Sequence, residues 1–209
     1  MPLLLGLLPE NLVAKEGVRV SPHPQGVNLA FTERKLVREY WQTYYPHWRL
    51  NFSNPPLALL QLMQKYNLTL ALAESCTGGG IASRLTDFAG ASRVLAGGVV
   101  VYTPLAKSRL LGLADLPPGC VAASLTQRMA AKIRSALGAD LGLGITGALG
   151  PQSPAEHIQV GEIYIGVHGL GQNLVRKFKF SGDRQTIKGV AIEAAFNILM
   201  AYVARWYIA

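Results

Sequence analysis

The sequence predicts an α/β fold, a three-layer α/β/α sandwich with a mixed sheet and a short N-terminal extension. Three observations carry this. From Leu57 onward, stretches of helical and strand periodicity alternate, which is the signature of strands joined by crossover helices. Near the C-terminus, two strand patterns flank Gly169-Leu170-Gly171, a hairpin signal that adds antiparallel strands to the sheet. The chain has 209 residues, half of them apolar and only 15% charged, enough material for a sizeable core.

The elements follow in order. Leu57–Tyr66 reads as a helix, with Leu59, Leu60, Leu62 and Met63 on its apolar side. Thr69–Glu74 is a short apolar strand, and Gly78–Thr86 opens a helix. Gly98–Tyr102 (GVVVY) is β-branched and reads as a strand; Ala106–Leu111 is a short helix. Thr126–Leu137 is a helix with Met129, Ile133 and Leu137 on one stripe. Leu141–Thr146, Val160–Val167 and Leu174–Phe180 are strands, and Gln185–Ala204 is the closing helix. Residues 1–56 differ in character. They hold 7 of the 12 prolines and 7 of the 17 aromatic residues. The run from Thr32 to Tyr45 suggests one amphipathic helix, and Pro55-Pro56 is expected to break the chain. The reading is therefore an N-terminal extension over 1–56 and an α/β domain over 57–209.

Charge and cysteine usage bound the function. The net charge is +8, which favours an acidic partner such as a nucleic acid, a membrane surface or a phosphorylated small molecule. The excess is +2 in residues 1–56 and +6 in residues 57–209. The run Arg176-Lys177-Phe178-Lys179 alternates with apolar residues and reads as the solvent face of a strand, so no nucleic-acid partner is expected. Cys76 and Cys120 show no metal-ligand spacing and are expected to be reduced thiols. The four histidines share no such spacing either and neighbour no obvious nucleophile. The N-terminal apolar run lacks a basic leader and meets Pro9-Glu10, which argues against a signal peptide. Gly189 to Ala209 carries only Glu193 and Arg205, and is read as a packed helix with no role at a membrane. A cytoplasmic homo-oligomer is the expected state.

Four segments carry chemistry. Ala73-Glu74-Ser75-Cys76-Thr77-Gly78-Gly79-Gly80 links a strand to a helix. Its glycines allow close backbone approach, and the helix start is expected to offer free N–H groups to a phosphate or an oxyanion. Tyr102 to Lys107 leaves the next strand; the helix dipole would lower the Lys107 pKa, suiting it as a base or phosphate contact, and Tyr102 reads as a core-edge aromatic. Gly144-Ile145-Thr146-Gly147 ends a third strand in a hydroxyl and a turn. Ser181-Gly182-Asp183-Arg184 precedes the last helix, with Asp183 as its cap and Arg184 able to grip a phosphate bidentately. Ligands of open α/β sheets bind at the carboxyl ends of strands, so these exits are expected to converge.

Taken together, AESCTGG, GGVVVYTPLAKSRLLG, LGITGALGP, VGEIYIGV and FSGDR resemble the CinA C-terminal domain family, over about Leu57 to Ala204. That family includes the nicotinamide-nucleotide amidases, which convert nicotinamide mononucleotide to nicotinic acid mononucleotide and ammonia. The resemblance implies no metal and no cofactor, and a small-molecule nucleotide as partner. It implies Ser75 as nucleophile and Lys107, helped by Tyr102, as proton acceptor, with Thr77, Gly78, Gly79, Thr146, Gly147 and Arg184 binding substrate. The chain departs from the family pattern at several places. Pro104-Leu105 stands for Asn-Glu, Ala122-Ala123 for Ser-Glu, and Ile158-Gln159 for Lys-Pro. These departures leave open a second reading, a CinA-like nucleotide-binding or interaction protein with altered or absent chemistry.

Overall fold

Two strand sets are present in the computed structural model, which describes residues 4–7, 18–23, 26–31, 49–50 and 54–207. The first lies in the N-terminal extension: β1 (Leu4–Leu7), β2 (Val18–His23), β3 (Gly26–Phe31) and β4 (Arg49–Leu50). They form an antiparallel sheet in the order β2-β3-β1-β4. These strands were not expected from the sequence. Pro22 lies within β2 and pairs with Val27, a placement a proline tolerates because β2 is an edge strand. The helix expected between Thr32 and Tyr45 lies outside the described residues.

The second set is a five-stranded mixed sheet in the order β6-β5-β7-β8-β9. Its strands are β5 (Leu70–Glu74), β6 (Leu95–Val100), β7 (Leu141–Gly147), β8 (Glu162–Gly169) and β9 (Gln172–Lys179). β5 is parallel to both β6 and β7; β8 adds antiparallel to β7, and β9 antiparallel to β8. The helices are α1 (Pro55–Lys65), α2 (Gly80–Thr86), α3 (Pro104–Leu111), α4 (Ala123–Leu137) and α5 (Arg184–Tyr207). The Pro55-Pro56 pair does not break the chain ahead of a helix. It starts α1, because the first helical positions need no N–H, and the Asn54 side chain accepts a hydrogen bond from the Leu57 N–H at 3.3 Å.

The layers follow from alternation along the strands. Leu70 and Leu72 of β5, with Leu141, Leu143 and Ile145 of β7 and Ile163, Ile165 and Val167 of β8, face a core shared with α1, α2 and α5. Ala71 and Ala73 face the opposite side, against Leu125, Met129 and Ile133 of α4 and Leu111 of α3. The two sides differ in residue size for a geometric reason. A Cβ at Gly142 or Gly144 would overlap the Ala130 or Thr126 carbonyl of α4, so β7 reads Leu-Gly-Leu-Gly-Ile. The helix approaches the sheet closely on the glycine side and stands off it on the leucine side. The closing helix α5 includes a 21-residue stretch, Arg184 to Ala204, long and apolar enough to cross a membrane. Its apolar window is 67% buried inside the fold, as a core helix requires.

Candidate active site

The chain leaves β5 at Glu74 and turns through Ser75-Cys76-Thr77-Gly78-Gly79 into α2. Gly78 and Gly79 have φ of 62° and 90°, the left-handed region that favours glycine. Glu74 is 1% exposed, and its carboxylate accepts hydrogen bonds from the Ile81 and Ala82 N–H groups at 3.1 and 2.9 Å. This corrects the expectation that the α2 start offers free amides to a ligand. An internal carboxylate already occupies the first turn, satisfying its donors and countering its partial positive charge. The Cys76 and Thr77 N–H groups, which make no hydrogen bond to another described backbone group, lie against the Cys76 sulfur.

Lys107 comes from α3. Thr103 caps this helix, its hydroxyl accepting from the Ala106 N–H at 3.1 Å, and Pro104 supplies the first helical position. Four residues into the helix, Lys107 turns inward and is 1% exposed. Its Nζ lies 3.0 Å from Ser75 Oγ, 2.7 Å from the Val101 carbonyl and 3.4 Å from the Tyr102 carbonyl. Burial pushes its ammonium below the ordinary lysine range, outweighing the attraction of the Cys120 and Cys76 sulfurs. The sequence reading assigned a lowered value to the helix dipole; desolvation is the larger cause. A neutral lysine has two N–H donors and one lone pair. In that neutral form the two carbonyls would take the donors and the lone pair would be left for the Ser75 hydroxyl.

Cys76 stands beside Ser75 as a second possible nucleophile. Burial pushes its thiol up to about 12, so it stays protonated and unreactive at neutral pH. The same burial that disfavours the lysine's charge also disfavours the thiolate of the neighbouring sulfur.

The rim is built differently. Tyr102 is 55% exposed, not a core-edge aromatic, and its hydroxyl accepts from Arg184 Nη2 at 2.7 Å. Arg184 Nη1 donates to the Gly150 carbonyl at 2.6 Å. Asp183 caps α5 as expected: its carboxylate accepts from the Thr186 N–H at 2.7 Å, which holds its pKa below the usual range. Thr146 Oγ1 donates to the Cys120 carbonyl at 2.8 Å, tying the 118–121 turn to the end of β7.

These residues enclose a cleft of about 170 Å³. Ser75, Tyr102, Lys107, Thr146, Gly147 and Arg184 line it, as the convergence of strand exits predicts. Thr77, Gly78 and Gly79 do not. Thr77 is fully buried, and its Oγ1 has no hydrogen-bond partner among the described residues. Sequence reasoning missed the walls: Cys76, Gly119, Cys120, Val121, Leu149 and Pro154. Ile158, which stands where the family pattern has lysine, is 3% exposed and packs with Val121 and Ala148. Gln159 accepts from Lys179 Nζ at 2.9 Å. That departure therefore exchanges a charge for an apolar wall behind the cleft.

The family profile of the CinA C-terminal domain matches residues 56–203. This chain belongs to the CinA family. It is 39% identical over 150 residues to a CinA-like protein of Syntrophotalea carbinolica, covering 70% of this chain and 36% of that protein. It is 42% identical over 141 residues to a CinA-like protein of Geotalea daltonii, covering 66% and 34%. The CinA-family chain thus spans about a third of the length of the curated relatives it matches. Among solved structures, a CinA superfamily protein from Escherichia coli superposes with a TM-score of 0.69 at 29% identity, covering 71% of this chain and 88% of that one. One from Klebsiella pneumoniae gives 0.70 at 25% identity, covering 73% and 97%.

Proposed function

We propose that this CinA-family chain is an amidohydrolase that deamidates nicotinamide mononucleotide by a Ser-Lys mechanism. One observation carries the reading: the buried Lys107 Nζ, 3.0 Å from Ser75 Oγ, with two carbonyls positioned to take its N–H donors. In the first half-reaction the Ser75 proton moves to Nζ while Oγ bonds to the carboxamide carbon. Backbone N–H groups of the glycine-rich turn after Ser75 are the donors this reading assigns to the oxygen that then becomes negative. A preorganised donor of this kind contributes about 3–4 kcal/mol in other amide hydrolases. The C–N bond breaks, and the proton on Nζ leaves with the nitrogen as ammonia. Water attacks the acyl-serine in the second half-reaction, Lys107 accepting its proton and returning it to Oγ. The products are nicotinic acid mononucleotide and a regenerated serine. Arg184, held by Tyr102 and Gly150, supplies a fixed cation at the rim for the substrate's phosphate. Ammonia release from nicotinamide mononucleotide, with Ser75→Ala and Lys107→Ala as references, tests the reading. Turnover at least a hundredfold above both variants is expected, and turnover equal to the Ser75→Ala background overturns it.

A further inference from the structure

The glycine turn has a second cation that the mechanism leaves unused. Lys188 lies one turn after Arg184 on α5, so the two side chains occupy the same side of that helix about 6 Å apart along its axis. Its Nζ sits 3.7 Å from where a Cβ would stand on Gly78, and its Cε 3.9 Å from the same position on Gly80. Lys188 is half-buried, and no hydrogen bond or ion pair to its Nζ is present among the described residues. Carboxylates of the two flanking elements are committed elsewhere. Glu193, further along α5, pairs with Arg84, and Glu74 is filled by the Ile81 and Ala82 amides.

An ammonium held against a backbone turn without a counter-ion is a place for an anion. The α2 start cannot serve, because Glu74 already holds its amides. An anion reaching the Gly78 turn must draw its countercharge from side chains: Lys188 Nζ lies beside that turn, and Arg184, one helical turn earlier, lines the neighbouring cleft. We infer that Lys188 and Arg184 form a two-cation phosphate subsite over the Gly78 turn, with Lys188 selecting phosphorylated over unphosphorylated substrate. The inference takes its substrate from the amidase reading, but the anion site stands on its own geometry. A side chain at Gly78 would enter the space beside Nζ, and Gly78 is also at positive φ.

The test uses the full chain carrying Ser75→Ala, so that ligand is bound and not consumed. Calorimetry compares nicotinamide mononucleotide with nicotinamide riboside, which lacks the phosphate. The parent is expected to prefer the mononucleotide. Adding Lys188→Gln is expected to cut that preference about tenfold while leaving riboside affinity unchanged, and Lys188→Arg to restore it. An undiminished preference in Lys188→Gln overturns the inference. If the parent binds neither ligand, the nicotinamide reading fails, and inorganic phosphate decides the anion site alone. Saturable shifts of the Gly78 and Gly79 amide resonances that vanish in Lys188→Gln support it; no shift in the parent overturns it.

Discussion

The floor and the rim of the cleft each present a cation to the same small volume, and the two are built for opposite tasks. Lys107 is 1% exposed, surrounded by carbonyls and a hydroxyl, and its charge is disfavoured by burial. Arg184 is exposed and makes its hydrogen bonds through two guanidinium nitrogens. The difference teaches that residue type alone does not assign a role. Burial that disfavours its charge suits a lysine to act as a base, and exposure suits a guanidinium to receive an anion.

The sharpest way to break this comparison is to place a rim-type cation on the floor. Lys107→Arg is expected to lower kcat by about a thousandfold or more, because a guanidinium cannot give up its proton to become a base. Circular dichroism should show the fold retained. An arginine variant with near-parent turnover would end the base assignment.

The pH profile sharpens the same contrast. On the Ser-Lys reading the free amine of Lys107 is the active form, so kcat/KM is expected to fall as pH drops through its native pKa. That acid limb should lie below 10.5, the ordinary lysine value, since burial lowers it. Stability follows with a defined sign. The unfolded chain binds this proton more readily than the native one, so the lysine's stability contribution is complete above 10.5 and is lost as pH falls toward the native pKa. Urea unfolding of the parent and Lys107→Met should therefore diverge in favour of the variant as pH decreases from 11 to 7. An unchanging difference would mean the lysine is not desolvated.

At the rim the effects are smaller. Tyr102→Phe removes the hydroxyl that accepts from Arg184, and is expected to raise KM about tenfold with kcat nearly unchanged, the loss of one hydrogen bond to a charged group. A kcat loss as large as that of Lys107→Arg would place the tyrosine hydroxyl in the chemistry instead. The smallest effect concerns the thiols. Iodoacetamide at neutral pH is expected to label half-buried Cys120 well before buried Cys76, whose thiol is pushed up to about 12. Peptide mass spectrometry reads the order, and equal labelling would show that the floor admits solvent.

The convergence of the site was legible because strand exits are legible. Apolar or β-branched runs ending in Ser75, Tyr102 and Thr146 mark three carboxyl ends of one sheet, and the fold brings them to one cleft. The burial of Lys107 was not. On α3 its neighbour Leu105 is 58% exposed and Leu110 likewise, so local periodicity points the helix the wrong way. The Glu74 cap was equally hidden: nothing local tells an acid at a strand end that its partners lie seven and eight residues on. In the extension, β3 does alternate as Val27, Leu29 and Phe31, a period-2 signal that the surrounding prolines and aromatics masked.

The sequence by itself determined the α/β class, the order of elements from α1 to α5, the glycine turn after β5 and the family to which the chain belongs. These depend on periodicity and short-range spacing, which the chain carries locally. Only the tertiary structure decided which lysine is dry, which sulfur is inert, which helix start is already filled and which lysine lies against the Gly78 turn. Each of those depends on desolvation or on partners distant in sequence, such as Lys107 with Ser75 and Lys188 with Gly78, and dielectric environment belongs to the packed molecule.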